Sequence, residues 1–200
     1  MIIGIINGSS QSDKNCVIEN ELKNVLKDKS DIYKVVNFGI YPDENFELSY
    51  IHTAVSIGIL INSGAVNFII TGCSSGTGMM LACNTLPNII CGYIPTPEDA
   101  YLFGRINNGN VVSLPLSLNY GWGSEIKLRT IFEQLFIEPF GKGYPVSEAK
   151  RKQADTKLLQ EIKKYGQKDI IDILEQLDST FMKIVMSRKK FYEFVLKYGT

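Results

Sequence analysis

The sequence predicts an α/β fold: a doubly wound, five-stranded parallel sheet in three αβα layers, followed by an α-helical C-terminal extension. Short apolar runs alternate with amphipathic helical patterns from residue 1 to about residue 140. Strands that alternate strictly with helices form parallel sheets covered by helices on both faces. Residues 48–97 contain no Asp, Glu, Lys or Arg, and uncharged apolar runs are typical of strands buried on both faces.

Each predicted strand is an apolar run that ends at a turn. Residues 1–6, for example, are followed by the polar turn of residues 7–10. The predicted strands are residues 1–6, 32–38, 66–70, 89–94 and 110–114. Sheets of this Rossmann-like kind bind ligands at the carboxyl ends of their strands, so the loops that follow the strands are the candidate sites.

The predicted helices carry start and stop signals as well as an apolar stripe. Ser12 and Asp13 begin the first helix, and residues 62–64 end the second. Thr96 and Pro97 begin the fourth, with acidic residues near the positive end of the helix dipole. The predicted helices are residues 12–29, 50–61, 76–86, 96–108 and 125–137.

The charge pattern divides the chain into a compact domain, residues 1–140, and an extended arm with a helical C-terminal extension, residues 141–200. Residues 150–200 hold twelve Lys and Arg but seven Asp and Glu. Helical patterns there cover about residues 147–164, 168–177 and 181–196. We expect these helices to pack against the core or a partner subunit; the alternative is that their positive charge helps to hold anions.

Composition excludes several classes of function. Lys and Arg number 21 and Asp and Glu also 21, so the charge expected of a general nucleic-acid binder is missing. Gly, Asn, Ser and Pro interrupt the uncharged region too often for a membrane span. Four cysteines without paired spacing and a single histidine, His52, argue against a zinc site. No segment resembles a signal peptide, so we expect a cytoplasmic protein with free thiols.

The chemistry is concentrated after the third predicted strand, in residues 71–84. Cys73 stands at the end of that strand, before a loop of small residues and a helix. The N–H groups at such a helix start hold an anion without a cation, and they favour the thiolate form of a cysteine. A base beside such a loop is what proton abstraction next to a carbonyl requires. On the residues alone, Cys73 is either a functional thiol or a small buried residue.

The glycines of this segment match neither common nucleotide-binding motif. Gly72, Gly76 and Gly78 do not have the G-x-G-x-x-G spacing of a dinucleotide site, and no G-x-x-x-x-G-K-[ST] sequence is present.

The segment resembles the ribose-5-phosphate isomerase B and galactose-6-phosphate isomerase family of sugar-phosphate isomerases. The family signature C-G-T-G-x-G-M-x-x-A-x-N is matched by residues 73–79, then by Ala82 and Asn84. A second family block, H-N-D-A-N-V, is similar to residues 106–111. The resemblance covers roughly residues 1–140, and the longer tail indicates a divergent branch.

The resemblance implies a role for each matching residue. Cys73 is expected to move a proton between C1 and C2 of an open-chain sugar phosphate, and Ser75, in place of the family threonine, to relay a proton. The groups expected to hold the enediolate oxygens are the loop amides of Ser74, Gly76, Thr77 and Gly78 and the side chain of Asn84. Further residues expected to line the site are Tyr50, Asn107, Asn110, Asn7 and Ser9.

The resemblance also implies a set of partners. No metal and no organic cofactor is expected. The expected partner is a small sugar phosphate, and the expected assembly is a homodimer or a higher homo-oligomer with shared active sites.

Four departures from the family pattern bear on the substrate. The family's early Asp-His pair, just after the first strand, is replaced by Gly8 and Ser9 or their neighbours in residues 7–10. Ile106 stands where the family has its ring-opening histidine, and His52 where the family has the aspartate of a D-Y-P-D segment. The arginine usual after the fifth strand is absent from residues 113–116. These departures favour a sugar that enters already open or is held differently. The cations left for phosphate capture, some of them from a second subunit, are Arg105, Lys142, Lys150 and Arg151.

Two classes of function follow, with a third behind them. The first is a cofactor-free aldose–ketose isomerase that acts on a sugar phosphate through an enediolate. The second is a catalytically impaired sugar-phosphate-binding protein on the same fold, and the third a different proton transfer on a carbonyl compound.

Several other side chains have a structural interpretation beside a functional one. Cys83 and Cys91 are predicted to lie in the core, and Cys16 to pack rather than react. His52 is either a structural residue or a catalyst. Trp122 is either a ring that stacks on a sugar or an anchor in the core or an interface.

Overall fold

A computed structural model describes residues 1–41, 44 and 47–200. Its sheet has five parallel strands in the order β2-β1-β3-β5-β4. The strands are Ile2–Ile5 (β1), Lys34–Asn37 (β2), Phe68–Cys73 (β3), Cys91–Tyr93 (β4) and Val111–Pro115 (β5). The predicted doubly wound parallel sheet is confirmed, and β3 lies at its centre.

Helices cover both faces of the sheet, as the alternation of the sequence predicts. The first five are Asn15–Val25 (α1), Tyr50–Asn62 (α2), Thr77–Asn84 (α3), Pro97–Leu102 (α4) and Ser124–Leu135 (α5). Residues of α1, α4 and α5 form one buried apolar cluster with Ile3, Ile5 and Ile70. Residues of α2 and α3 form the other, with Ile69 and Val111. Successive strand residues therefore face opposite layers, which explains why the strands are apolar on both sides.

Three loops meet at the carboxyl edge of the sheet, after β1, β3 and β5. The side-chain amide of Gln11 donates to the hydroxyl oxygens of both Ser74 and Ser117, each at 3.1 Å. The backbone N–H of Ser117 donates to the carbonyl of Ser74 at 3.0 Å. These bonds hold the loop after the central strand between its two neighbours.

Several element boundaries differ from the predicted ones. The first helix begins as a 3-10 turn, Ser9–Lys14, because Gln11 leaves helical geometry (φ −131°, ψ 22°), and α1 proper starts at Asn15. β3 extends to Cys73 rather than ending at residue 70. The fourth helix passes from α4 into a wider π-type turn, Phe103–Asn107.

The C-terminal extension forms four helices where three were predicted. They are Ala149–Gly166 (α6), Ile170–Gln176 (α7), Ser179–Val185 (α8) and Lys189–Tyr198 (α9). The single helix predicted over residues 181–196 is wrong, because the chain turns between α8 and α9. At that turn the buried guanidinium of Arg188 donates to the carbonyl of Phe38 and pairs with Glu44 at 3.1 Å.

The extension packs against the face of the sheet that α2 and α3 cover. Val185 and Phe191 are fully buried in that apolar cluster, and half-buried residues of α7 and α8 surround them. Packing against the core, one of the two roles expected for these helices, is therefore observed within one chain. Among the described residues, no helix is both long enough and apolar enough to cross a bilayer.

Replacing Phe191 tests whether the extension and the α/β domain unfold together. Phe191 is 2% exposed, so Phe191→Ala is expected to lower the free energy of unfolding by about 3–5 kcal/mol. Urea unfolding followed by circular dichroism should remain a single transition with an earlier midpoint. Tyr192→Ala, at an exposed neighbouring position, is the control and should change stability by less than about 0.5 kcal/mol. A separate transition for the extension would contradict this view.

Candidate active site

Cys73 is the last residue of β3, and its half-buried side chain opens into a cleft of about 700 Å³. The cleft lies at the carboxyl edge of the sheet, where parallel α/β sheets bind ligands. The residues that line it are Ser9, Ser10, Glu47, Leu48, Ser49, Tyr50, Cys73, Ser74, Ser75 and Gly78.

A left-handed turn at Gly76 carries the chain from β3 into α3. Gly76 has φ +79°, and a Cβ there would lie 2.7 Å from a ring carbon of Tyr93 and 3.0 Å from the carbonyl carbon of Leu114. Only glycine meets both the positive φ and the lack of space. The hydroxyl of Ser113 donates to the carbonyl of Gly76 at 2.6 Å and fixes the turn from β5.

The helix α3 begins beside the cleft, and its first N–H groups have no backbone partners among the described residues. The first bond within the helix runs from the N–H of Met80 to the carbonyl of Gly76, at 3.1 Å. Nothing in the described part of the chain accepts from the backbone N–H groups of Thr77 or Gly78. Helix starts of this kind stabilise negative charge, and a bound oxyanion satisfies the free donors.

The sulfur of Cys73 and the ring of Tyr50 approach the same point near this helix start. A Cβ built on Gly78 would lie 3.9 Å from the Cys73 sulfur and 3.8 Å from a ring carbon of Tyr50. The absence of a side chain at Gly78 therefore leaves room between the thiol, the phenol ring and the free N–H groups.

The opposite wall of the cleft is the start of α2. Ser49 caps this helix: its hydroxyl accepts the N–H of His52 at 3.4 Å, while its own N–H donates to Nδ1 of His52 at 3.1 Å. Leu48 pairs with Ser9, through bonds of 2.8 and 2.9 Å, and so joins this wall to the loop after β1. Burial lowers the pKa of His52, which favours the neutral ring that such a cap needs.

No Lys or Arg lines the cleft in the described part of the chain, and Glu47 is its one charged residue. Arg105 is 1% exposed and lies between the rings of Tyr101 and Phe140, where burial lowers its pKa. Arg151 pairs with Glu148, just before α6, and with Asp155 on α6. The cations expected to capture a phosphate are thus absent from the Cys73 cleft of a single chain.

The structure brings about half of the predicted site residues together. Ser9, Tyr50, Ser74, Ser75 and Gly78 line the cleft with Cys73. Gly76 and Thr77 supply the turn and the first helical residue beside it. Ser74 also has a second task, because its hydroxyl accepts the bond from Gln11 that ties two loops.

The other predicted residues lie elsewhere in the chain. Asn7 is fully buried and donates to the side chain of Asn15 at 2.8 Å. Asn84 lies at the far end of α3, where its amide bonds both the N–H and the carbonyl of Cys91 at 3.0 and 2.9 Å. Neither residue lines the cleft, and the backbone of Cys91 occupies the Asn84 amide, whereas the side-chain oxygen of Asn7 has no hydrogen-bond partner among the described residues. Their contact with a ligand therefore stays a prediction.

Asn107 and Asn110 precede β5 and lie at the amino edge of the sheet, opposite the Cys73 cleft. Asn110 accepts the N–H of Ile90 and donates to the carbonyl of Asn88, at 2.9 and 2.7 Å. Asn107 is exposed at the end of the π-type turn. Within one chain neither contributes to the cleft, so the predicted sharing of a site between subunits stays a prediction.

Sequence reasoning missed the lining residues Ser10, Glu47, Leu48 and Ser49, and the loop-tying Gln11. Ser10 and Gln11 follow the first strand, so the rule that strand-end loops meet could have found them. The segment before α2 does not directly follow a strand. Its one sequence signal is Ser49, because serine is a common helix cap.

The other cysteines and Trp122 have simpler environments. Cys83 and Cys91 are buried, as predicted, and a hydrogen bond with Cys83 together with burial raises the pKa of Cys91. Cys16 is exposed, so the expectation that it packs is wrong. Trp122 is fully exposed, so it is not an anchor in the core.

Among the described residues, no group of His, Cys, Asp and Glu is arranged to hold a metal.

Comparison with known proteins agrees with this geometry. Residues 10–137, more than half of the chain, match the model of the Ribose/Galactose Isomerase family. The chain belongs to this family. None of the curated protein sequences matches it. The assignment confirms the resemblance that the Cys73 segment indicated, and it makes the protein a sugar isomerase by family.

Two solved members of the Ribose/Galactose Isomerase fold are similar over the whole chain. A 4-deoxy-L-threo-5-hexosulose-uronate ketol-isomerase complexed with a tartrate is 41% identical, with a TM-score of 0.95, over 100% of this chain and 93% of its own. A ribose-5-phosphate isomerase from Vibrio parahaemolyticus is 35% identical, with a TM-score of 0.93, over the same shares. Both structures match the C-terminal extension as well as the α/β domain.

A more distant likeness shows the fold alone. The type B ribose 5-phosphate isomerase from Trypanosoma cruzi is 19% identical, with a TM-score of 0.64, over 82% of this chain and 99% of its own.

Replacing Asn84 separates a structural role from a role in the cleft. Asn84→Ala leaves the N–H and carbonyl of Cys91 without these partners, so we expect the free energy of unfolding to fall by about 1–3 kcal/mol. Turnover per folded molecule should stay unchanged. Thermal denaturation and steady-state kinetics on one preparation measure both quantities. A loss of turnover without a loss of stability would restore Asn84 to the active site.

Alkylation rates test the environment of the Cys73 sulfur. We expect iodoacetamide to modify Cys73 faster than the exposed Cys16 near neutral pH, because free N–H groups at a helix start make a nearby cysteine more reactive. Cys83 and Cys91 are buried and should react last. Peptide mass spectrometry over time gives the four rates, and Cys16 serves as the exposed reference. Faster modification of Cys16 than of Cys73 would contradict this prediction.

Proposed function

We propose that this protein is a cofactor-free aldose–ketose isomerase in which Cys73 is the base. One observation carries the proposal: the half-buried Cys73 sulfur shares a cleft with Gly78, whose backbone N–H, like that of the preceding Thr77, has no partner in the described part of the chain. A base and an oxyanion cradle at one point are what isomerisation through an enediolate needs.

The reaction transfers protons and has no net redox change. The Cys73 thiolate removes the proton from C2 of an open-chain aldose, and the C2–H electron pair becomes the C1–C2 double bond of an enediolate. The negative charge moves to O1, where the N–H groups of the loop and helix start stabilise it. The Ser75 hydroxyl, exposed at the cleft, relays a proton between O2 and O1. The Cys73 thiol then delivers its proton to C1, which completes the ketose and restores the thiolate.

The substrate that the cleft favours is an open-chain sugar acid. The 41% identical structure carries the name of an enzyme for a 4-deoxy-5-keto uronate. Such a sugar has no hydroxyl on C4 and a carbonyl on C5, so it lacks the hydroxyls that close ordinary five- and six-membered rings. An enzyme for it needs no ring-opening acid, which agrees with Ile106 at the position of the family histidine. A carboxylate also suits a cleft that offers N–H and hydroxyl donors instead of cations.

A sugar phosphate is the second candidate. The family model and the 35% identical ribose-5-phosphate isomerase support it. In this case a second copy of the chain supplies the cations and Asn107 to the Cys73 cleft, and the homo-oligomer predicted from the sequence is required for activity.

Isotope exchange tests the reaction and separates the substrates. In deuterated water, proton NMR should show exchange at C2 with the 4-deoxy-5-keto uronate, and the rate should exceed that with ribose 5-phosphate or galactose 6-phosphate. Cys73→Ala should lower the rate by about 10²–10⁴-fold, the usual contribution of a general base, without changing the circular dichroism spectrum. Cys73→Ser is the matched control, because it removes the thiol but keeps a side chain of similar size.

Three outcomes would change the proposal. Faster exchange with a sugar phosphate selects the second candidate. Binding without exchange for every sugar supports the catalytically impaired binding protein. Full activity of Cys73→Ala contradicts the assignment of the base.

A further inference from the structure

We propose that His52 is a positioning residue for the Cys73 cleft, and that Phe181 of the C-terminal extension holds His52 in place. The extension thereby sets the geometry of the cleft wall that faces the catalytic thiol. This inference rests on the proposed function, and it assigns a functional contribution to helices that the Cys73 motif does not include.

The first step is the bond that His52 makes at the start of α2. Its Nδ1 accepts the backbone N–H of Ser49 at 3.1 Å and lies 2.8 Å from the Ser49 hydroxyl. The N–H of His52 donates to the same hydroxyl at 3.4 Å. This reciprocal arrangement is a capping box, in which Glu or Gln ordinarily takes the place of His52.

The second step explains why a histidine is suitable there. The imidazole ring of His52 stacks on the ring of Phe181, with centroids 4.4 Å apart and planes inclined by 21°. A flat ring that also carries an acceptor nitrogen makes both contacts at once, whereas a Glu or Gln side chain provides only the acceptor. Phe181 lies in the first turn of α8, and the capping carboxylate of Asp178 accepts its N–H at 3.0 Å.

The third step connects His52 to the reacting groups. Ser49 and Tyr50 line the cleft, and the Tyr50 ring edge and the Cys73 sulfur both lie within 4 Å of the same point beside Gly78. Leu48 is fixed to Ser9 on the other side of Ser49. If His52 leaves its rotamer, the N–H of Ser49 loses its acceptor and the Ser49 hydroxyl loses its contact with Nδ1, so the wall opposite the thiol loses its defined position. Displacements of about 1 Å at a catalytic site cost roughly 10²-fold in rate.

Substitutions at His52 separate positioning from bulk stability. His52→Ala removes both contacts, and we expect kcat to fall by about 10–100-fold while KM changes little. His52→Gln keeps a capping-box acceptor and should recover at least half of that loss on a logarithmic scale. Circular dichroism and thermal denaturation confirm that both variants are folded at the assay temperature.

Substitutions in the extension test the contact from its other side. Phe181→Leu removes the stacked ring and should lower kcat by about tenfold. Phe194→Leu is the matched control, because Phe194 is also half-buried in the extension but packs on Phe38, with ring centroids 4.9 Å apart. We expect Phe194→Leu to lower thermal stability comparably and to leave kcat within twofold of the wild type. In the His52→Gln background Phe181→Leu should have little further effect, since the ring pair is already lost.

The outcomes distinguish this inference from the proposed function. If the wild type shows no Cys73-dependent exchange, the proposed function fails. If exchange depends on Cys73 but His52→Ala and His52→Gln are equally active, or Phe181→Leu and Phe194→Leu behave alike, the inference is overturned and His52 is only a structural cap.

Discussion

The left-handed turn at Gly76 brings the end of the central strand and the start of α3 to one point, and the chemistry of the site depends on that meeting. Gly76 has φ +79°, and there is no space for a side chain beside Tyr93 and Leu114. The turn therefore fixes the position of Cys73 relative to the N–H groups of Thr77 and Gly78. β5 supports it from below through Ser113. Because the free donors belong to the backbone, the proposed reaction needs no conformational ordering of them when charge develops on a substrate oxygen, and such preorganised electrostatic stabilisation is usually the largest single contribution to catalysis.

The fold and the central part of the site could be predicted from the sequence, because both depend on local patterns. Apolar runs and helix caps place the strands and helices in order, and the strand-end rule places Cys73 and its loop at the functional edge. Asn84 shows where this reasoning stops. A motif match gives its position in the chain but not the partner of its amide. Asn84 is seven residues along α3 from Thr77, a distance of about 10 Å at 1.5 Å per residue, and there the backbone of Cys91 takes both of its bonding groups.

The C-terminal extension could be predicted as helical but not as part of the site's surroundings. Its apolar stripes indicate that each helix buries one face, without indicating which surface receives it. The turn between α8 and α9 depends on a long-range contact, from Arg188 to Phe38 and Glu44, that no local pattern contains. The same is true of the stack between Phe181 and His52, two residues that are far apart in the chain. The extension is therefore part of the same packed unit as the sheet, and the whole-chain likeness to two solved isomerases agrees with this view.

The absence of a cation from the described lining of the cleft has a consequence for the base. A lysine or arginine beside a cysteine stabilises the thiolate strongly, but a strongly stabilised thiolate is a weaker base toward carbon. The partial charges of backbone N–H groups favour the anion less, and they can move their support from sulfur to the enediolate oxygen as the proton is transferred. In the proposed mechanism a helix start thus serves the thiolate before the proton transfer and the enediolate oxygen after it.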